Sequence, residues 1–228
     1  NLKNIIFNNQ EDKLDLTQFT QISIFATSYV IFKTYIIEKD IKIEDTNVML
    51  GHSLGEYTAL ACSKKISLKD CSLILKKRGK LMNNAVKPNI TGMAALIGKD
   101  DNYVQTIIND NNLDLEIAND NSPIQIVVSG SKQDIINSKD LFLKNNIKKF
   151  VQLNVSAAFH SKYMKTAQEE LSYEIEKLKF YENDINIISN FDANVYHDTM
   201  SIKKNLQNQM ANKVNWTKSI QQLEKLGE

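Results

Sequence analysis

The run Val48-Met49-Leu50, followed at once by Gly51-His52-Ser53-Leu54-Gly55, constrains this chain more than any other segment. Three apolar residues bounded by Asp45-Thr46-Asn47 and by Gly51 have the length of a short buried strand. Residues 57–62 continue as a helix. A GxSxG pentapeptide on a strand-to-helix turn reads as a nucleophile elbow, because side chains at its flanking positions would collide with neighbouring backbone. Such a turn lifts the serine hydroxyl out of the sheet. It also aims the unpaired N–H groups of the helix N-terminus at whatever the oxygen attacks. The pentapeptide alone also arises by chance, and the strand before it and helix after it favour Ser53 as a nucleophile.

Periodicity organises the rest. Residues 17–39 carry Phe19, Ile22, Phe25, Ala26, Tyr29, Phe32 and Ile36 at helical spacing and predict a largely buried helix. Residues 68–85 predict another, capped by Ser67 with Asp70 three residues on. The pattern then changes. Strands are expected at 93–97, 115–118, 124–129 and 149–153, with helices at 101–109 and 132–145, the β-α-β-β-α-β order of a ferredoxin-like unit. Beyond it, 161–178, 201–209 and 217–226 read as helices and 185–188 as a strand. Residues 1–87 and 156–228 would then form one α/β body carrying residues 88–155 as a compact insert.

Charge and cysteine content remove several function classes. The 228 residues hold 28 basic and 27 acidic side chains, so no net field exists to hold nucleic acid or an anionic membrane. The most apolar stretch, 22–36, contains Lys33 and is shorter than the roughly 18 residues of a membrane span. Cys62 and Cys71 make neither a disulfide framework nor a four-ligand zinc site, and the chain reads as cytoplasmic. No other metal constellation and no glycine-rich phosphate loop occurs in the sequence.

A serine nucleophile needs a base, and three histidines are present. His52 adjoins Ser53 but should point away across the turn and brace it. His197 lies in a polar Tyr196-His197-Asp198 stretch. His160 lies where the insert returns to the body, where a cleft should open, and is the expected base. Arg78, beside Lys76, Lys77 and Lys80, reads on composition alone as a solvated helix charge.

Gly51-His52-Ser53-Leu54-Gly55-Glu56-Tyr57 resembles the nucleophile motif of malonyl-CoA:acyl carrier protein transacylases and the related acyltransferase domains of polyketide and fatty acid synthases. Arg78-Gly79-Lys80-Leu81-Met82 is similar to that family's RGxxM segment, and Asn119-Asp120-Asn121-Ser122-Pro123-Ile124-Gln125 to its NxNSPxQ loop. Phe159-His160-Ser161 resembles its FHS segment and Val214-Asn215-Trp216 its VxW. The motifs stand in family order. The resemblance implies a hydrolase-like α/β large subdomain with an inserted ferredoxin-like small subdomain. It implies malonyl transfer in fatty acid biosynthesis, with Ser53 attacking the thioester and His160 relaying the proton. By the same resemblance a backbone carbonyl from Gln209 orients His160, and Arg78 grips the malonyl carboxylate. Phe159 goes with malonyl over methylmalonyl. Leu54 supplies one oxyanion N–H, Gln21 stands near the site, and Met82, one turn after Arg78, could line the acyl pocket or sit in the core. The partners implied are malonyl-CoA and acyl carrier protein, with no cofactor beyond the coenzyme A thioester as substrate, and a monomer is expected.

The family's GQGSQ-type segment, source of its second oxyanion donor, and its later GPG segment do not occur here, so the chain reads as beginning and ending inside the fold. Asn119 and Asn121 either bond near the cleft or cap a turn. Lysines 64, 65, 76, 77 and 80 either meet an acidic carrier protein or form a solvated face. Three alternatives stay open beside the free-standing enzyme: an acyltransferase fragment of a polyketide synthase, an esterase of the α/β-hydrolase type, and a non-catalytic remnant that binds carrier protein.

Overall fold

A computed structural model describes residues 1–227. The chain opens with helix α1 (Leu2–Asn8) and a 3-10 turn, then the long α2 (Thr17–Glu38). Strand β1 (Val48–Met49) runs into α3 (Leu54–Cys62), and α4 (Leu68–Asn84) follows. Ser67 caps α4 by accepting from the Asp70 N–H, as the Ser-x-x-Asp spacing predicts.

The middle of the chain supplies β2 (Thr91–Ile97), α5 (Asp101–Asp110), β3 (Leu115–Ser122), β4 (Gln125–Ser131), α6 (Lys132–Lys144) and β5 (Lys149–Gln152). Their order in the sheet is β3-β4-β2-β5 and every pairing is antiparallel, the ferredoxin-like arrangement. Side chains alternate across β2. Ala94 and Leu96 pack with Val104, Ile107, Ile135 and Phe142 of the two helices, whereas Met93 and Ala95 cluster on the other face with Ala118, Val127 and Phe159. That second face looks onto the cleft described below.

The chain then returns through a 3-10 turn (Lys162–Met164) into α7 (Lys165–Glu176), β6 (Asn186–Ile188), β7 (Val195–Tyr196), α8 (Thr199–Asn208) and α9 (Trp216–Lys225). Strand β6 lies parallel to β1, pairing Val48 with Asn186, and antiparallel to β7. The connection between β1 and β6 therefore contains the whole four-stranded unit. Val214, just before α9, bridges to Asn119 of β3, with the Asp120 N–H donating to the Val214 carbonyl at 3.0 Å. This stitches the end of the chain to the small sheet.

Three expectations change. The helix at α2 is not largely buried: Gln21, Ser23 and Phe25 are, while Ile24, Val30, Ile31, Tyr35 and Ile37 are exposed. Its apolar residues go all round the axis, while its main packing partners are α4 and α3. Lys65 is fully buried and donates to the carbonyls of Asn183 and His197 at 3.0 and 3.2 Å, so it ties loops together and offers no rim charge. Asn119 and Asn121 belong to β3, which runs four residues beyond its expected end. No described helix is long and apolar enough to cross a membrane.

Candidate active site

Ser53 sits between β1 and α3 with φ 53° and ψ −108°, a strained conformation for a residue with a side chain. Asn190, in the loop after β6, holds it there. Its Oδ1 accepts from the Ser53 N–H at 2.6 Å, and its Nδ2 donates to the Gly51 carbonyl at 2.9 Å. A Cβ at Gly51 would stand 2.2 Å from the Gly55 carbonyl carbon and oxygen, whereas one at Gly55 would meet nothing within 4 Å. The collision expected at both flanks of the motif thus exists at Gly51 alone. The turn folds the Gly55 peptide over Gly51, while the outer side of Gly55 stays open.

His160 faces the serine with its Nε2 2.9 Å from Ser53 Oγ. Its Nδ1 lies 3.2 Å from the carbonyl oxygens of both Gln209 and Asn212. Two acceptors on one side require Nδ1 to carry the proton, so Nε2 accepts from the Ser53 hydroxyl. His160 also has a positive φ of 54° and is buried. Burial, then the charge of Arg78, then that of His52, push the imidazole down to about 3, against the pull of the two carbonyls.

Arg78 projects from the buried face of α4 and is 1% exposed, not the solvated charge its lysine neighbours suggest. Its Nη1 donates to Gln21 Oε1 at 2.7 Å. Its Nη2 donates to Gln209 Oε1 at 3.0 Å and to Ser53 Oγ at 3.1 Å. The Tyr57 ring lies under it, 5.3 Å from Cζ to the ring centre. Arg78 forms no ion pair among the described residues, and its Nε has no hydrogen-bond partner. Gly79 lets α2 approach: a Cβ there would stand 2.9 Å from the Gln18 Cα. That closeness brings Gln21 to the guanidinium.

These groups line one cleft of about 450 Å³ between the body and the small sheet. Gln21, Leu54, Met82 and Phe159 lie on its walls with Ser53, Arg78 and His160, and Met93 and Asn119 close it from the small sheet. Met82 is 2% exposed and its sulfur accepts from Gln21 Nε2 at 3.1 Å, so it both lines the cleft and belongs to the core. His52 points away from Ser53: its Nε2 lies 2.8 Å from Asn121 Oδ1 and its ring meets Trp216 edge-on at 5.4 Å. His197 is exposed.

Gln209 is not on the cleft wall. It lies buried behind Ser53, where its Nε2 donates to the Ser53 carbonyl at 2.9 Å and to Glu56 Oε2 at 2.7 Å. The family resemblance implies a role only for its backbone carbonyl. Glu56 and Asn190 were missed altogether. Glu56 is 1% exposed and also accepts from the Asn190 N–H at 3.2 Å. The signal that could have singled it out is Ser53-Leu54-Gly55-Glu56, which has the spacing of a capping box. Ser53 makes no side-chain cap bond, because its hydroxyl is turned to His160.

Residues 1–226 match the acyl transferase domain family. The malonyl CoA-acyl carrier protein transacylase of Bacillus subtilis is 33% identical over 226 residues, which cover 97% of this chain and 70% of that protein. The polyketide biosynthesis malonyl CoA-acyl carrier protein transacylase PksC of the same organism is 34% identical, covering 99% of this chain and 77% of its own length. Among solved structures, the acyl-carrier-protein-S-malonyltransferase of Bartonella henselae superposes with a TM-score of 0.93 at 30% identity, over 99% of this chain and 73% of that one. The site's serine, imidazole and buried guanidinium thus stand on a fold shared across nearly the whole sequence, and the chain belongs to the acyl transferase domain family.

Proposed function

We propose that this chain moves a malonyl group from coenzyme A to the phosphopantetheine thiol of acyl carrier protein, through an ester on Ser53. Ser53 Oγ attacks the thioester carbonyl as its proton passes to His160 Nε2, 2.9 Å away. The carbon–sulfur bond then breaks, and the imidazolium returns the proton to the departing coenzyme A thiolate. The second half runs in reverse: the carrier thiol loses its proton to His160, attacks the ester, and Ser53 Oγ is reprotonated. The Leu54 N–H, in the first turn of α3 and without a helix carbonyl to bond, supplies an oxyanion donor. Nothing in this sequence of steps calls on a cofactor.

The observation that carries the reading is the state of Arg78. A buried guanidinium with neutral hydrogen-bond partners and an unpartnered Nε, 3.1 Å from the nucleophile, is an incomplete ion pair beside the reacting atom. A carboxylate two bonds beyond the thioester carbonyl completes it, and acetyl does not. Seating that carboxylate also cancels the nearest charge that holds His160 down, so the correct acyl group raises the basicity of its own base. The names of the relatives support the same substrates and the same carrier partner. We assign the reaction to fatty acid synthesis and to the cytoplasm, where two unpaired, buried cysteines are at home. Incubation with malonyl-CoA followed by peptide mass spectrometry tests the proposal. A malonyl adduct on Ser53 that carrier protein discharges is expected. No adduct, or discharge to water as fast as to carrier thiol, overturns it.

A further inference from the structure

Beneath the site lies a buried carboxylate that the transfer mechanism does not use. Glu56, on the first turn of α3, receives two hydrogen bonds at a single oxygen, from Gln209 Nε2 and from the Asn190 N–H. Each donor leads to the machinery. Asn190 straps Ser53 and Gly51. Gln209 reaches Arg78 through its side chain and His160 through its carbonyl.

We propose that Glu56 is a positioning residue for malonyl transfer, which orients the Gln209 amide toward Arg78 and whose negative charge sets how strongly Arg78 draws the acyl carboxylate. The inference rests on the malonyl-transfer reading. An amide has a donor end and an acceptor end. With an acceptor-only carboxylate on one side, the Gln209 NH₂ must face Glu56 and the Ser53 carbonyl, which leaves Oε1 for the guanidinium. A flipped amide would set oxygen against oxygen at Glu56 and NH₂ against guanidinium at Arg78. Glu56 therefore fixes an acceptor under Arg78. The same carboxylate, one amide away from a guanidinium with no ion pair among the described residues, competes with the acyl carboxylate for that charge.

The charged groups acting on Glu56 are Arg78 from α4 and Asp192 from the loop after β6. The remaining neighbours that bond to it, Asn190 and Gln209, are neutral. Burial, with Asp192 adding to it, raises the carboxyl to about 7 against its two hydrogen bonds and Arg78. The counter-charge is consequently present at pH 8 and largely neutralised at pH 6. His160, at about 3, does not titrate in that interval.

The test compares wild type, Glu56→Gln and Glu56→Asp. Rapid-quench mass spectrometry gives the rates of Ser53 acylation by malonyl-CoA and by acetyl-CoA at pH 6 and pH 8. Coenzyme A carries the same phosphates in both substrates, so their titration cancels in the ratio. At pH 8, Glu56→Gln keeps an oxygen for the two donors but removes the anion, and the malonyl-to-acetyl ratio should rise about tenfold, the order expected of unit charges roughly 10–12 Å apart, across an amide and a guanidinium, at an effective dielectric near 20. The wild-type ratio should move toward that of Glu56→Gln on going to pH 6. Glu56→Asp keeps the charge and withdraws the reach, so both rates should fall while the ratio at pH 8 stays near wild type. Equal ratios in all three at pH 8, or a loss in Glu56→Gln shared by both acyl groups, overturn the proposal. So does a wild-type ratio that is flat between pH 6 and pH 8, a result that needs no variant to fold. A wild-type chain that takes no malonyl group overturns the transfer reading and this one with it. One that acylates normally with an unmoved ratio overturns this one alone.

Discussion

Replacing Arg78 by alanine isolates acyl selectivity from chemistry. Arg78 spends its N–H groups on two neutral amide oxygens and the serine hydroxyl. An acyl carboxylate would accept two parallel hydrogen bonds in their place. Hydrogen bonds to charged groups contribute about 1.5–3 kcal/mol each, so a two-pronged grip is worth about 3–6 kcal/mol in gross terms. Part of that is offset by the bonds to Gln21 and Gln209 that must be given up. Taking roughly half as the net gives about 1.5–3 kcal/mol, or about 10- to 150-fold at 1.4 kcal/mol per factor of ten. Acetyl has no group for Arg78, so its transfer lacks this term. The variant also leaves Gln21 Oε1 and Gln209 Oε1 without their donor and opens space under Ser53. Those losses fall on both acyl groups, which is why the ratio is the quantity to read. The expected result, from single-turnover acylation of Ser53 with each thioester, is a malonyl-to-acetyl ratio lowered by about tenfold or more. A folded variant that still acylates, with a ratio within about threefold of wild type, would refute the argument.

Removing the imidazole should be costlier than any change on the pocket wall. His160→Ala is expected to slow Ser53 acylation by about 10²–10⁴, read by the same quench assay. The depressed His160 value has a signed consequence for stability. A base whose folded value lies near 3, below an unfolded 6.5, leaves its stabilising contribution intact above pH 6.5 and loses it as pH falls from there toward 3. Urea midpoints measured against pH should therefore drop less steeply over that window in His160→Gln than in wild type. The two motif glycines should separate cleanly. Gly51→Ala forces a Cβ into the Gly55 carbonyl at 2.2 Å and should cost at least about 1–3 kcal/mol together with most of the acylation rate. Gly55→Ala meets nothing within 4 Å and lies in a helix, so thermal unfolding should show it neutral or stabilised by up to about 1 kcal/mol.

Legibility in the sequence followed how local the controlling physics was. The small sheet could be read because each strand carries apolar residues over a short stretch, and the two stretches between them that form α5 and α6 are long enough for helices. Helix α1 and the short β7 were not read. Helix α1 buries no residue, and β7 is two residues long and held by its pairing to β6. The misjudged burial of α2 has the same origin. Periodicity reports that apolar residues share a helix, and says nothing of which side finds a neighbour. Lys65 failed in the opposite sense: charge predicts exposure unless distant carbonyls, here those of Asn183 and His197, take the ammonium in.

The same distinction explains why Ser53, His160 and Arg78 came out of the sequence and Glu56 did not. A nucleophile, a base and a cation carry their chemistry in their residue type, and motifs keep them at recognisable places. Glu56 looks like the fourth member of a Ser-x-x-Glu cap, whose ordinary partner is the backbone N–H at the start of its own helix. That pairing is local, and the structure rejects it because the serine hydroxyl already belongs to His160. Once released from capping, the carboxylate is a buried acid that needs donors from outside α3, and it finds them in residues 190 and 209, more than 130 positions away in sequence. Burial of an unpaired acid is costly, so its retention at 1% exposure beside an equally buried guanidinium calls for a compensating interaction. The Gln209 amide supplies it by bridging the two charges without joining them. A direct Glu–Arg pair would satisfy both groups and leave nothing for an acyl carboxylate to complete. One neutral amide of separation keeps Arg78 available while its buried charge remains tolerable.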